Sequence, residues 1–214
     1  MILRYFFEKI VLILDNYSQK KNFLFIIKVL GNKIEYFFDV GFHKGETIDL
    51  ARKFFSIKKI HAFEPNPDSY KMFKKNFSDD VTLINKGVGK KNGKRDFYLN
   101  DFSPINSFNN LNYESEHTKI KGKILKHLYS SKINNIKKEI EVITLEKYCN
   151  QKSIKTIDIL KIDTEGCEYD VLRGLGQKIT NVKCILFEHH YDKSLIKNYK
   201  FGDINKLLKD NGFK

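Results

Sequence analysis

An acid, two glycines and a second acid about twenty residues later are the first groups in this chain that suggest chemistry. Asp39, Gly41 and Gly45 stand in the stretch "FFDVGFHKG", and Glu64 closes "KKIHAFE". Further on, Asp163 and Glu165 stand in "KIDTEG", and Glu188 and His189 in "LFEHH". A glycine after an apolar run lets the backbone turn sharply and lets ligand atoms approach it. A glycine opening a helix leaves free N–H groups that favour an anionic ligand group. An acid some twenty residues on can accept two hydrogen bonds from ribose hydroxyls. The set fits a nucleoside.

Charge decides which nucleoside. A dinucleotide site wants G-x-G-x-x-G, which seats a pyrophosphate. This chain has G-x-x-x-G, with Asp39 two residues before the first glycine. Asp39 would repel a pyrophosphate and suits a ligand with an ammonium group or a positive centre. S-adenosylmethionine has both, together with a carboxylate and a ribose. A nicotinamide-dependent oxidoreductase is the first rival, disfavoured by the missing middle glycine and by Asp39. A cofactor-binding module without turnover, truncated or degenerate, is the second.

These residues need elements to position them, and the hydrophobic pattern supplies strands and helices in alternation from residue 34. "IEYFFDV", "IKKIHAFE", "VTLINKGV", "KRDFYLN", "EIEVIT", "TIDILKID" and "VKCILFE" read as strands. "GETIDLARKFF", "PDSYKMFKKNF", "LEKYC", "CEYDVLRGL" and "DINKLLKDNG" read as helices. Strands alternating with helices imply βαβ units and a doubly wound, mostly parallel sheet. Near-continuous apolar runs in "IEYFFDV" and "IDILKI" suit strands covered on both faces. In such a sheet ligands bind beyond the carboxyl ends of the strands. Asp39, Glu64, Asp163 and Glu188 all fall at those ends. Residues 100–138 are polar and too long for a plain connection, so they read as a lid or insert. Residues 1–33 read as a helical extension, with Ile2, Phe6, Ile10, Ile13 and Leu14 on one face. That face suits packing on the domain. Contact with a membrane surface is the alternative.

The chain has 214 residues, 41% of them hydrophobic and 30% charged, which suits one globular domain. The net charge of +13 comes mostly from lysines spread along the whole chain. With no arginine-rich or aromatic-interleaved basic block, nucleic acid is disfavoured as a partner. Cys149, Cys167 and Cys184 are far apart and form no CxxC pair, which argues for free thiols and a cytoplasmic setting. The longest apolar runs are too short for a transmembrane span.

The motifs "FFDVGFHKGETIDL", "HAFEPNPDSYKMFKKNF", "INKGVG", "VITLEKY", "IDILKIDTEGCEYDVLRG" and "ILFEHH" together resemble the FkbM-type S-adenosylmethionine-dependent methyltransferases. The resemblance covers roughly residues 34–190, and the "LKIDTEGCEYDVLRG" block is its most specific part. It implies a Rossmann-like methyltransferase fold over 34–214. It places Asp39, Gly41 and Gly45 at the methionine end of the cofactor, Glu64 at the ribose and Asp163 beside the methyl group. Glu165, Gly166 and Glu168 complete the signature loop. The acceptor it implies is a hydroxyl of a sugar, a glycan or a secondary metabolite. Phe42 and His43 depart from the small, polar residues that commonly follow the first glycine. The methyltransferase fold usually continues into an antiparallel strand pair beyond a helix such as "LLKDNGFK", so the expectation is either that this hairpin is absent or that the chain is truncated.

Methyl transfer is an in-line displacement, so positioning does much of the work. For a hydroxyl acceptor a base adds a factor of about 10² to 10⁴. Asp163 is the first candidate for base or acceptor-orienting group, followed by Glu165 and His189. His189 and His190 are adjacent and point apart in extended chain, so at most one faces the site. Glu168 and Glu188 are the candidates for holding the acceptor, and His43 for touching the cofactor. Lys161 pairs with an acid or points away. No ligand spacing demands a metal.

Overall fold

In the computed structural model, the described residues are 17–75, 78–99, 106–129 and 136–214. Five strands form one parallel sheet. These are β1 (Lys33–Val40), β2 (Ser56–Phe63), β3 (Val81–Ile84), β7 (Ile157–Ile162) and β8 (Val182–Phe187), in the order β3-β2-β1-β7-β8. The order reverses between β1 and β7. A smaller sheet joins β4 (Gly87–Val88), β5 (Gly93–Leu99) and β6 (Ile136–Ile143), with β6 in the middle. The stretch "VTLINKGV" is therefore two strands in two sheets rather than one, because Gly87 and Val88 pair with Val142 and Ile143.

Consecutive side chains on a strand point to opposite faces, and both faces of the large sheet are apolar. Phe38, Val40, Phe63, Leu160 and Ile162 pack on one side with Leu145, Val171, Leu172 and Ile204. Those partners lie on α5 (Leu145–Gln151), α6 (Glu168–Arg173) and α7 (Phe201–Asp210) or open them. Phe37, Ile60, Ala62 and Ile159 pack on the other side with Phe23, Ile26, Ile48 and Ala51. These come from α1, residues 17–30, and α2 (Glu46–Ala51). Helix α1 is thus a layer of the core. The apolar face expected at Ile2 to Leu14 lies outside the described residues. The remaining helices are α3 (Pro67–Phe73) and α4 (Glu116–Tyr129). Asn66 caps α3 by accepting from the Asp68 N–H at 3.0 Å, with Pro67 at the first helical position.

The strands of the large sheet end level. The N–H of Gly41 reaches the carbonyl of Phe63, that of Glu64 reaches Ile84, that of Asp163 reaches Val40, and that of Glu188 reaches Ile162. Four polar loops therefore leave the sheet along one edge. Among the described residues no strand follows β8, and α7 ends the chain's regular structure. No described helix is long and apolar enough to cross a membrane. All three cysteines are free thiols.

Candidate active site

The register of β1 against β7 sets Asp39 beside Lys161. Lys161 Nζ lies 3.3 Å from Asp39 Oδ1, 3.3 Å from Asp163 Oδ2 and 3.3 Å from the Gly41 carbonyl oxygen. One ammonium therefore ties the two strand ends at the reversal of the sheet. Among the described residues neither oxygen of Asp39 has a partner in hydrogen-bond geometry, so its link to Lys161 is an ion pair. Burial pushes the Asp39 carboxyl up, and Lys161 offsets part of that rise. Burial disfavours the Lys161 charge, but the two carboxylates outweigh it and hold the ammonium protonated. Asp39 has no exposed surface. It supports the turn from behind. Asp163 keeps 32% of its side chain exposed and is the open member of the trio.

Gly41 sits at φ 91, and a Cβ there would lie 1.7 Å from the Asp163 carbonyl oxygen. The missing side chain makes room for the neighbouring loop. His43 follows at φ 53 and Gly45 at φ 86, so the turn carries three left-handed residues. Helix α2 begins with Glu46, whose carboxylate receives the Lys44 N–H at 3.2 Å and lies 3.5 Å from His43 Nδ1.

Glu64 is 6% exposed. Its Oε2 accepts the His43 N–H and its Oε1 the Asn66 N–H, each at 2.8 Å. Burial pushes its carboxyl up to about 7, against the pull of those two N–H groups. The β1 turn and the end of β2 are thus joined through this acid, as Lys161 joins β1 to β7.

The "DTEG" loop after β7 is held from below and from the side. Glu168 has no exposed surface. Its Oε1 accepts from the Thr164 N–H, the Thr164 hydroxyl and the Gly166 N–H, and its Oε2 from the Tyr199 hydroxyl. With its oxygens engaged inside the protein, Glu168 holds the loop. From the side, Ser107 Oγ donates to the Glu165 carbonyl and Asn109 Nδ2 to the Gly166 carbonyl, each at 2.6 Å. Residues 106–112, part of the expected lid, form a strap that pins this loop. They bridge β5 at Tyr98–Ser107 and the loop after β8 at Leu111–Leu195. Residues 100–105 and 130–135 of that stretch lie outside the described residues.

Of the two histidines, His190 faces the loop, with Nε2 3.2 Å from Glu165 Oε2. His189 lies among Tyr191, Tyr199 and Phe201, with ring centroids 4.8, 5.9 and 5.5 Å away. Burial and the Lys197 charge push its imidazole pKa down. Glu188 is exposed at the sheet edge. His190, Tyr199, Ser107 and Asn109 were not singled out by the sequence. The alternation in "EHH" limited the histidines facing the site to at most one without deciding which. Nothing in "NSFNN" marks Ser107 or Asn109 as a strap. Among the described residues no group of three or more His, Cys, Asp and Glu could hold a metal ion.

A parallel sheet that reverses at β1 and β7, with its polar cluster just beyond the reversal, defines a Rossmann-like α/β domain of the methyltransferase type. The chain belongs to the FkbM methyltransferase family, whose model, described as the methyltransferase FkbM domain, matches residues 39–214. It is 24% identical over 174 residues to the 2-O-methyltransferase NoeI of Sinorhizobium fredii, a match covering 77% of this chain and 67% of that protein. The crystal structure of methyltransferase FkbM from Methylobacillus flagellatus shares the fold, with a TM-score of 0.50 at 14% identity over 83% of this chain. This chain spans 37% of that one.

Proposed function

We propose that this protein transfers a methyl group from S-adenosylmethionine to a hydroxyl oxygen of a sugar, a glycan or a secondary metabolite. The observation that carries the cofactor reading is Glu64. It is a buried acid at a strand end, and each of its oxygens receives one backbone N–H. A carboxylate oxygen has two lone-pair sites, so each retains capacity for one ribose hydroxyl. The donor set fits the rest of the cofactor as well. Asp163, open and tethered by Lys161, suits the ammonium at the methionine end, and His43 lies on the turn between Asp163 and Glu64. When bound, the cofactor supplies an electrophilic methyl carbon on a positively charged sulfur. The protein's part is to bind it, to orient the acceptor and to take a proton from the acceptor hydroxyl. Family membership supports methyl transfer, and the 2-O-methyltransferase relative supports oxygen as the acceptor atom.

Calorimetry tests this directly. S-adenosylmethionine should bind and NAD should not. Glu64→Ala should weaken the binding about ten- to a hundredfold, the worth of charge-assisted hydrogen bonds of about 1.5–3 kcal/mol. Unchanged affinity in a folded Glu64→Ala protein overturns the assignment.

A further inference from the structure

Glu165 and His190 meet across the ends of β7 and β8, and the cofactor contacts above use neither. Glu165 is held at φ 51. A non-glycine residue stays in that region only where its surroundings over-determine it. Here the surroundings are visible: Ser107 holds the Glu165 carbonyl, while Asn109 and Glu168 hold the two sides of Gly166. The conformation aims the Glu165 carboxylate at His190, whose own carbonyl accepts from Lys197 Nζ. His190 Nε2 is fully buried, so the 18% of the side chain that stays exposed lies on its other atoms. The pair is close without forming an aligned hydrogen bond. Glu165 stands in the same loop as Asp163, and His190 stands one strand over.

We propose that His190 is the proton acceptor for the hydroxyl that is methylated, with Glu165 as the residue that positions its ring. The proposal rests on the reading of methyl transfer to oxygen. With the Glu165 carboxylate 3.2 Å from Nε2, the ring proton is favoured on Nε2, which leaves the Nδ1 lone pair for a second partner. As the acceptor oxygen forms its bond to the methyl carbon, the O–H proton passes to Nδ1 and the carbon–sulfur pair returns to sulfur. The resulting imidazolium is stabilised by Glu165. The charges around the ring agree with this role: Glu165, Glu188, Glu168 and Asp192 favour the imidazolium, and Lys197 and His189 oppose it. The contact with Glu165 leads, burial opposes it, and the balance carries the imidazole up to about 9. The base form therefore fills in as pH rises toward that value, and turnover should rise with it.

The test follows the His190 Cε1 proton by NMR, assigned through its loss in His190→Gln. In cofactor-free protein its midpoint should lie near 9. Glu165→Gln should bring it down by about two pH units, toward an ordinary histidine. The titration is then repeated with saturating S-adenosylmethionine and with saturating S-adenosylhomocysteine, which lacks the methyl group and the positive charge. A base beside the reacting centre should titrate about one pH unit lower with the charged ligand. A histidine that only closes the loop titrates alike with both. Equal midpoints, with calorimetry showing both ligands bound, overturn the proposal and leave the methyltransferase reading intact. Failure of S-adenosylmethionine to bind at all overturns that reading and the proposal with it.

Discussion

Burial and ligand binding pull Glu64 in opposite directions, and the contest can be titrated. With its folded value near 7, Glu64 keeps a proton that the unfolded chain has lost above about 4.5. The native state then binds more protons, so Glu64 lowers stability as pH rises through that window. Ribose hydroxyls donate to the charged form, so cofactor binding should expel the proton. Affinity should rise with pH across the same window and level off above 7. Calorimetry at pH 6 in two buffers of different ionisation heat should show proton release that disappears in Glu64→Gln. Zero release in the unmodified protein would count against the ribose contact. At Asp163, the Asn substitution should weaken S-adenosylmethionine binding about tenfold while saturated turnover is kept. A fall of about 10² to 10⁴ in saturated turnover with affinity unchanged would instead make Asp163 the base. Lys161→Met strands Asp39 in the core, and denaturant unfolding should show a loss of about 3–5 kcal/mol. The Asp39–Lys161 pair was half legible. The sequence placed both in apolar strands, but only the β1–β7 register sets them side by side.

At the scale of elements, the strap over 106–112 decides how firmly the "DTEG" loop is held. Ser107→Ala removes the donor to the Glu165 carbonyl and the acceptor for the Asn109 N–H. Leaving buried groups unpaired costs about 1–3 kcal/mol, which denaturant unfolding should show. The same variant should lose turnover while its affinity for S-adenosylmethionine holds, because Glu64 and the β1 turn lie on other strands. Equal loss of affinity and turnover would show that the strap acts on the whole site. The alternation of strands and helices was readable from periodicity, and the strand-end acids followed from it. The small sheet was not. Apolar runs announce strands but not partners, so "VTLINKGV" reads as one strand until Val142 and Ile143 are seen to take its second half. The left-handed Glu165 was equally hidden, since glycine advertises such a conformation and glutamate does not.

For the molecule as a whole, the site is a seam between distant parts. Strand β1 contributes the turn, β2 the buried acid, β7 the signature loop and β8 the histidine. Helix α7 secures the far side: Ile204 has no exposed surface and packs in the cluster that holds Val171 and Leu172 of α6, while Tyr199, just before it, donates to Glu168. Ile204→Ala should therefore cost about 2–5 kcal/mol and raise hydrogen exchange at the Thr164 and Gly166 amides, which Glu168 holds. Exchange raised only within α7 would break that link. The doubly wound, mostly parallel class was legible as a whole because a chain of βαβ units has few right-handed ways to close, while the strand order came from the structure.

Gly41 and Lys161, which meet at the centre of the sheet, lie 120 residues apart in the chain. On a ribosome adding about 5–20 residues per second, β7 emerges roughly 6 to 24 seconds after β1. Through that interval the β3-β2-β1 half can pair, but the edge of β1 carrying Phe37, Phe38 and Val40 has no neighbour. A nascent chain of this protein thus presents an apolar strand edge for seconds, a surface that a chaperone would recognise and that a second nascent copy could pair with.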